Sequence, residues 1–264
     1  MKKIRKKISF PNLLDITAFF LWGLLMLKYW VTGELYKLIH PNYFLLVFAS
    51  GIILLIIASL KIVRNLIKKA PSTLKNEDNS SSLLPKKGAS FLLIMVAMIG
   101  LTTEPKILNS TSALQRGLTD SLPPVSLQPE AFANASKPED RTLIEWMRTI
   151  NVYPEPDSYT GQKANLTGFV VHLDSLPDNY IYLSRFVLTC CAADAYPVGI
   201  PVKLPESNSK YPADTWLEIE GTMMTETLAY LGGKSSNNNG EVRYLVVNAQ
   251  NVKIIPTPRN PYAQ

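Results

Sequence analysis

The two cysteines of this chain are adjacent, Cys190 and Cys191 within "RFVLTCCAADAYPVG", and Asp194 follows three residues later. Two thiolates and a carboxylate are ligands that zinc accepts, at roughly 2.0 to 2.3 Å, and His40 or His172 can complete such a set. The same pair can serve redox chemistry, through a strained vicinal disulfide or through exchange with another protein, because adjacent cysteines must distort the backbone to bond. A third reading is packing alone. Free cysteine is among the most buried residue types, and Cys190 would then be a small core residue with Cys191 a partly covered neighbour. Period two argues against one ion on both sulfurs: along a regular strand through "IYLSRFVLTCC", Phe186, Leu188 and Cys190 share one face, whereas Arg185, Val187, Thr189 and Cys191 share the other. The sulfurs diverge unless the strand ends or bulges there, for which "CAADAYP" and its proline give a reason. Asp194 has an ordinary use as well, accepting hydrogen bonds from its own turn, against ligation or an ion pair with Arg185.

Nothing else assembles into a reaction. The chain has no G-x-S-x-G, no H-E-x-x-H and no phosphate-cradling glycine loop, and His172 is the one histidine after residue 104. The expectation is therefore a protein that is not an enzyme. His172 alternates away from Phe169, Val171 and Leu173, which predicts an exposed ring. Trp216 can stack on a base or sugar, but the acidic balance around it argues against nucleic acid and for core or edge packing.

The elements that hold these residues follow from charge and hydropathy. Residues 1–104 carry 14 Lys/Arg against 5 Asp/Glu, and residues 105–264 carry 13 against 16, so the overall +6 resides in the first part. That part also holds three apolar runs. Leu13 to Val31 rises about 28 Å as a helix, Pro41 to Leu60 is uncharged over 20 residues, and Ala89 to Thr103 has 15, against the roughly 30 Å core of a bilayer. Asp15 and Lys28 sit near the two ends of the first run, within reach of headgroups. A cleaved signal peptide fits less well, because no A-x-A-like site closes that run. Basic residues crowd "MKKIRKK" and the segment between runs two and three, so the positive-inside rule predicts a cytoplasmic N-terminus. Three spans then put everything after Thr103 outside the plasma (inner) membrane, where vicinal thiols can oxidise. His40 falls at the outer end of the second helix, as an interfacial residue or as a ligand on the side of the cysteines.

From Glu104 to Pro138 the composition is that of a linker. Ser136 and Glu139 have capping-box spacing ahead of a helix with Leu143, Ile144, Met147 and Ile150 on one stripe. Short β-rich runs follow: "ANLTGFVVHL", "IYLSRFVLTCC", a bent "YPVGIPVKL", "TWLEIEGTM" and "VRYLVVNAQNVKII". The fold class expected is an α+β membrane protein: three transmembrane helices (about 13–31, 41–60 and 89–103) in domain 1–103, a linker 104–138, and in 139–264 a helix plus an OB-like, all-β Greek-key barrel.

Five stretches, "IHPNY", "EPKILNSTSALQRG", "YTGQKANLTGFV", "SRFVLTCCAADAYPVGIPV" and "DTWLEIEGT", resemble the YcgQ-like family of permease subunits. The fourth is the most specific, through Arg185 and Phe186, the cysteine pair, Asp194, Pro197 and Gly199. The resemblance implies partnership with a separate multi-span permease-like protein in the lipid bilayer and a link to divalent-metal handling, zinc in particular. The chain departs from the family pattern in its polar linker and in an Asn/Gly-rich loop at Lys234 to Gly240.

Overall fold

A computed structural model describes residues 10–67, 86–118, 137–229 and 241–263. The chain divides into two compact units, Met1–Lys106 and Ile107–Gln264. The basic N-terminal seven residues, Ser136 and the Lys234 to Gly240 loop lie outside the described residues.

The first unit holds three helices, α1 (Phe10–Thr32), α2 (Phe44–Ile67) and α3 (Lys86–Thr102). Two stretches, Leu13–Thr32 and Pro41–Asn65, are long and apolar enough to cross a membrane; the apolar part of α3, Gly88–Thr102, is shorter. Small residues set the packing. Ala18, Ala58 and Ala97 are buried, and a Cβ at Gly23 would stand 2.8 Å from the Leu55 side chain and 3.0 Å from the Gly51 carbonyl. Close backbone approach of this kind replaces the large interlocking core of a soluble bundle. Lys28 does not act as a free headgroup anchor: its Nζ donates to Leu101 O at 2.8 Å while Tyr29 Oη donates to Gly100 O at 2.8 Å. Both acceptors belong to the last turn of α3, whose carbonyls have no partner within the helix.

The second unit is a closed barrel of five strands, β1 (Lys163–Val171), β2 (Tyr180–Val187), β3 (Tyr196–Lys203), β4 (Trp216–Ala229) and β5 (Glu241–Ile254). Around it the order is β1-β2-β3-β5-β4 and back to β1, antiparallel except where β3 meets β5 in parallel. A short β6 (Tyr262–Ala263) adds to β2 in parallel. Alternate residues fill the interior, among them Ile181, Leu183, Val198, Ile200, Leu217, Ile219 and Val247, joined by Leu143, Ile144, Trp146 and Met147 of α5 (Leu143–Val152). Gly199 admits the neighbouring strand: a Cβ there would stand 2.3 Å from Leu183 O and 2.6 Å from the Tyr182 ring.

Three expectations are corrected here. The linker does not begin at 104, because Ile107, Leu108, Ala113 and Leu118 pack on an outer cluster with Phe169, Phe186, Trp216 and Tyr262. Their segment includes α4 (Ser110–Arg116), pinned where Leu108 N donates to Tyr262 Oη at 3.1 Å and Ser110 N to Asp214 Oδ1 at 2.5 Å. The capping box of α5 is Thr142 with Glu145, since only Thr142 directly precedes the apolar stripe. Strand β2 ends at Val187, short of the cysteines.

Candidate metal centre

Because β2 stops before Leu188, the alternation that would part the two sulfurs does not reach them. The backbone turns instead, and Asp194 organises the turn. Its Oδ2 accepts from Cys190 N at 2.8 Å and its Oδ1 from Cys191 N at 3.1 Å, while Asp194 N returns a bond to Cys191 O at 3.2 Å. The sulfurs end 3.6 Å apart. Cys190 is exposed and Cys191 half-buried, so the expectation of a core Cys190 is overturned; both are free thiols.

Electrostatics in the turn run in one direction. Hydrogen bonding to the Asp194 carboxylate, with smaller contributions from Cys191 and from burial, pushes the Cys190 thiol up to about 12. Burial raises Asp194, but the Cys190 side chain and the backbone N–H groups of Cys190, Cys191 and Thr189 outweigh it and hold the carboxyl below its ordinary range. Among the described residues, Cys190, Cys191 and Asp194 are the one group of three or more potential metal ligands whose donor atoms all lie within 4.8 Å of one another.

The other predicted residues are placed elsewhere. His172 is half-buried rather than exposed, its Nε2 2.9 Å from Tyr211 O. His40 belongs to the helical unit, where its Nδ1 accepts from Asn42 N at 3.2 Å at the start of a 3-10 turn. Arg185 is not paired with Asp194. It donates to Asn260 O at 3.3 Å, lies 5.6 Å from the Trp216 ring, and burial draws it down to about 10. Trp216 is buried beside Phe169, Phe186 stacks on Phe169, and Pro197 and Gly199 form β3 opposite Phe186 and Ser184. Sequence reasoning missed Arg116, whose guanidinium donates to Ala192 O at 3.1 Å and to Ala195 O, clasping the cysteine turn from α4. Its signal was present in "EPKILNSTSALQRG", which ends on that arginine and a glycine.

Residues 14–119 match the DUF1980 N-terminal domain and residues 134–263 the DUF1980 C-terminal domain. Over 87 residues the chain is 28% identical to the UPF0703 protein YcgQ of Bacillus subtilis (strain 168). That match covers 33% of this chain and 30% of the relative, so it spans under a third of the relative's length. No solved structure matches the chain.

Proposed function

The chain belongs to the DUF1980 family, and on that premise we propose that it is a non-enzymatic accessory subunit of a plasma-membrane permease whose exported barrel binds zinc at Cys190, Cys191 and Asp194. One observation carries the reading: three ligand atoms of types zinc accepts converge within 4.8 Å on an exposed turn. In this reading all three helices span, α3 despite its length, with the N-terminus cytoplasmic, as the basic excess of residues 1–104 favours. The barrel is of the OB type, supported by its strand order and its single parallel pair, β3 with β5. The helices dock with a multi-span permease-like partner.

Zinc takes thiolate sulfur, so binding releases protons, and with the Cys190 thiol raised the zinc affinity should fall as pH falls. Three protein ligands leave a fourth position for water or for a residue of the partner. Thiol-redox chemistry is the second reading, motivated by sulfurs 3.6 Å apart, but a thiol titrating near 12 is a poor attacking nucleophile at neutral pH.

Equilibrium dialysis of the full chain against zinc should give one bound ion, lost in Cys190→Ser/Cys191→Ser. Equal binding by both proteins ends the metal reading. A cysteine introduced as Ile254→Cys in the Cys190→Ser/Cys191→Ser chain should be modified in intact cells by an impermeant maleimide; labelling only after lysis would place the barrel inside. Loss of the partner should lower the level of the chain in membranes.

A further inference from the structure

Asp15 stands near the start of α1, where an ionisable group has no evident use in the metal chemistry. Its Oδ1 accepts from Ser90 Oγ of α3 at 2.5 Å, which fills one of about four acceptor sites on a carboxylate. Two cavities of the helical unit share Asp15 and Lys61. The smaller, about 130 Å³, is polar and is completed by Arg64 and Asn65; the larger, about 500 Å³, is lined by Phe19, Trp22, Leu54 and Leu93. Their order along the helices is consistent. Trp22 lies seven residues beyond Asp15 and Leu54 seven before Lys61, each about 10 Å along a helix, so both place the apolar cavity farther from the helix ends than the polar one. Lys61 lies 4.4 Å from the Phe19 ring, at the junction. Among the described residues neither Lys61 nor Arg64 forms an ion pair with a carboxylate.

A slot with two cations that pair with no carboxylate among the described residues, and with Asp15 beside them, continued by an apolar chamber, is complementary to an amphiphile carrying both signs of charge. We propose that it binds a membrane aminophospholipid, with the phosphodiester held by Lys61 and Arg64, the primary ammonium by Asp15, and an acyl chain along Phe19, Trp22, Leu54 and Leu93. Lys61 places its stem on the apolar wall and its ammonium at the headgroup, the ordinary compromise of a long basic side chain at an interface. The carboxylate sets the headgroup choice. A purely anionic headgroup would meet Asp15 as a like charge, and a trimethylated amine offers it no N–H to donate. The proposal rests on the helices spanning a membrane, and its test separates the two.

The full-length chain, purified in mild detergent, is titrated by native mass spectrometry with dioleoyl-phosphatidylethanolamine, -phosphatidylglycerol and -phosphatidylcholine. The wild type should retain the ethanolamine lipid most tightly, by roughly tenfold over the choline lipid, the worth of a charge-assisted hydrogen bond. Asp15→Asn should erase that preference, and Lys61→Gln/Arg64→Gln should weaken all three lipids. Equal retention of ethanolamine and choline lipids by the wild type overturns the proposal even if the double variant fails to fold. Fractionation of cells supplies the separation: a chain extracted from membranes by carbonate refutes the membrane reading itself, whereas a carbonate-resistant chain without lipid preference refutes the slot alone.

Discussion

Ile53 in the middle of α2 and Ile254 at the end of β5 are almost equally exposed, 54% and 58%, yet they belong to units that bury their residues by opposite rules. The barrel unit buries large side chains: Trp146, Tyr182, Tyr262 and Phe186 are each under 2% exposed. In the helical unit alanines are among the buried residues, while Leu45, Ile53, Phe91, Leu92 and Ile99 stand out on the surface. A scattered exposed isoleucine is normal on a soluble domain, but a contiguous apolar coat is not. The difference teaches that the two units follow different burial rules, and under the proposed membrane placement it is the difference between a lipid-facing and a water-facing unit.

The largest expected effect tests that inference directly. Ile53→Lys should cost about 3 kcal/mol of insertion, the charge falling near a bilayer centre. Ile254→Lys, on a water-facing barrel, should change nothing measurable. The readout is the fraction of chain in carbonate-washed membranes, and equal tolerance of both lysines would break the comparison.

Glycines sharpen it at the next level. At Gly199 a Cβ meets backbone, Leu183 O at 2.3 Å, and a strand cannot swing aside as a side chain can. At Gly23 the nearest atoms belong to the Leu55 side chain, at 2.8 and 2.9 Å. Gly199→Ala should therefore lower barrel stability in denaturant unfolding by about 2 to 3 kcal/mol, and Gly23→Ala should cost the helical unit less. The opposite order would mean that the barrel wall is softer than its hydrogen bonding implies.

How much was legible beforehand follows the same division. Hydropathy shows α1 and α2 plainly because whole runs of their residues are apolar, and alternation shows β1 to β5 because their inward residues repeat every second position. Alternation could not show where β2 ends. That depends on Asp194 taking the N–H groups of Cys190 and Cys191 out of the ladder, a bond from residues beyond the strand. Nor could composition show that Ile107 to Leu118 dock, since their few apolar residues gain a partner only where Phe169, Phe186 and Tyr262 form an outward apolar face. Nor did the spacing of Ser136 and Glu139 distinguish them from Thr142 and Glu145, which share it and form the box.

The cysteine turn gives the third test, at the water-facing extreme of the comparison. Removing the negative charge in Asp194→Asn should bring the Cys190 thiol down toward its ordinary range and raise its alkylation rate at pH 8 by roughly tenfold, the gain in thiolate being partly offset by lower nucleophilicity. An unchanged rate would mean that Asp194 does not govern the thiol. The sign for the aspartate is separate: its folded-state pKa is lowered, so its contribution to stability is present above the ordinary carboxylate range and is lost as pH falls through the lowered value. Acid titration of unfolding in wild type and Asp194→Asn should converge at low pH.

The smallest expected effect is the most diagnostic of solvent. Arg243 pairs with Asp157, and its guanidinium also lies 3.7 Å from Glu155, with all three side chains more than half exposed. Its hydrogen bond, with a smaller one from Thr225, holds Asp157 below its ordinary range, which by itself suggests a strong tie. In water such a tie is screened and offset by the entropy of holding two long side chains. Arg243→Ala should therefore leave the unfolding midpoint of the barrel unchanged within error, at low salt as at high. A clear fall at low salt would mean that the pair is shielded from water by something laid over it, and that face of the barrel could then no longer be treated as open to solvent.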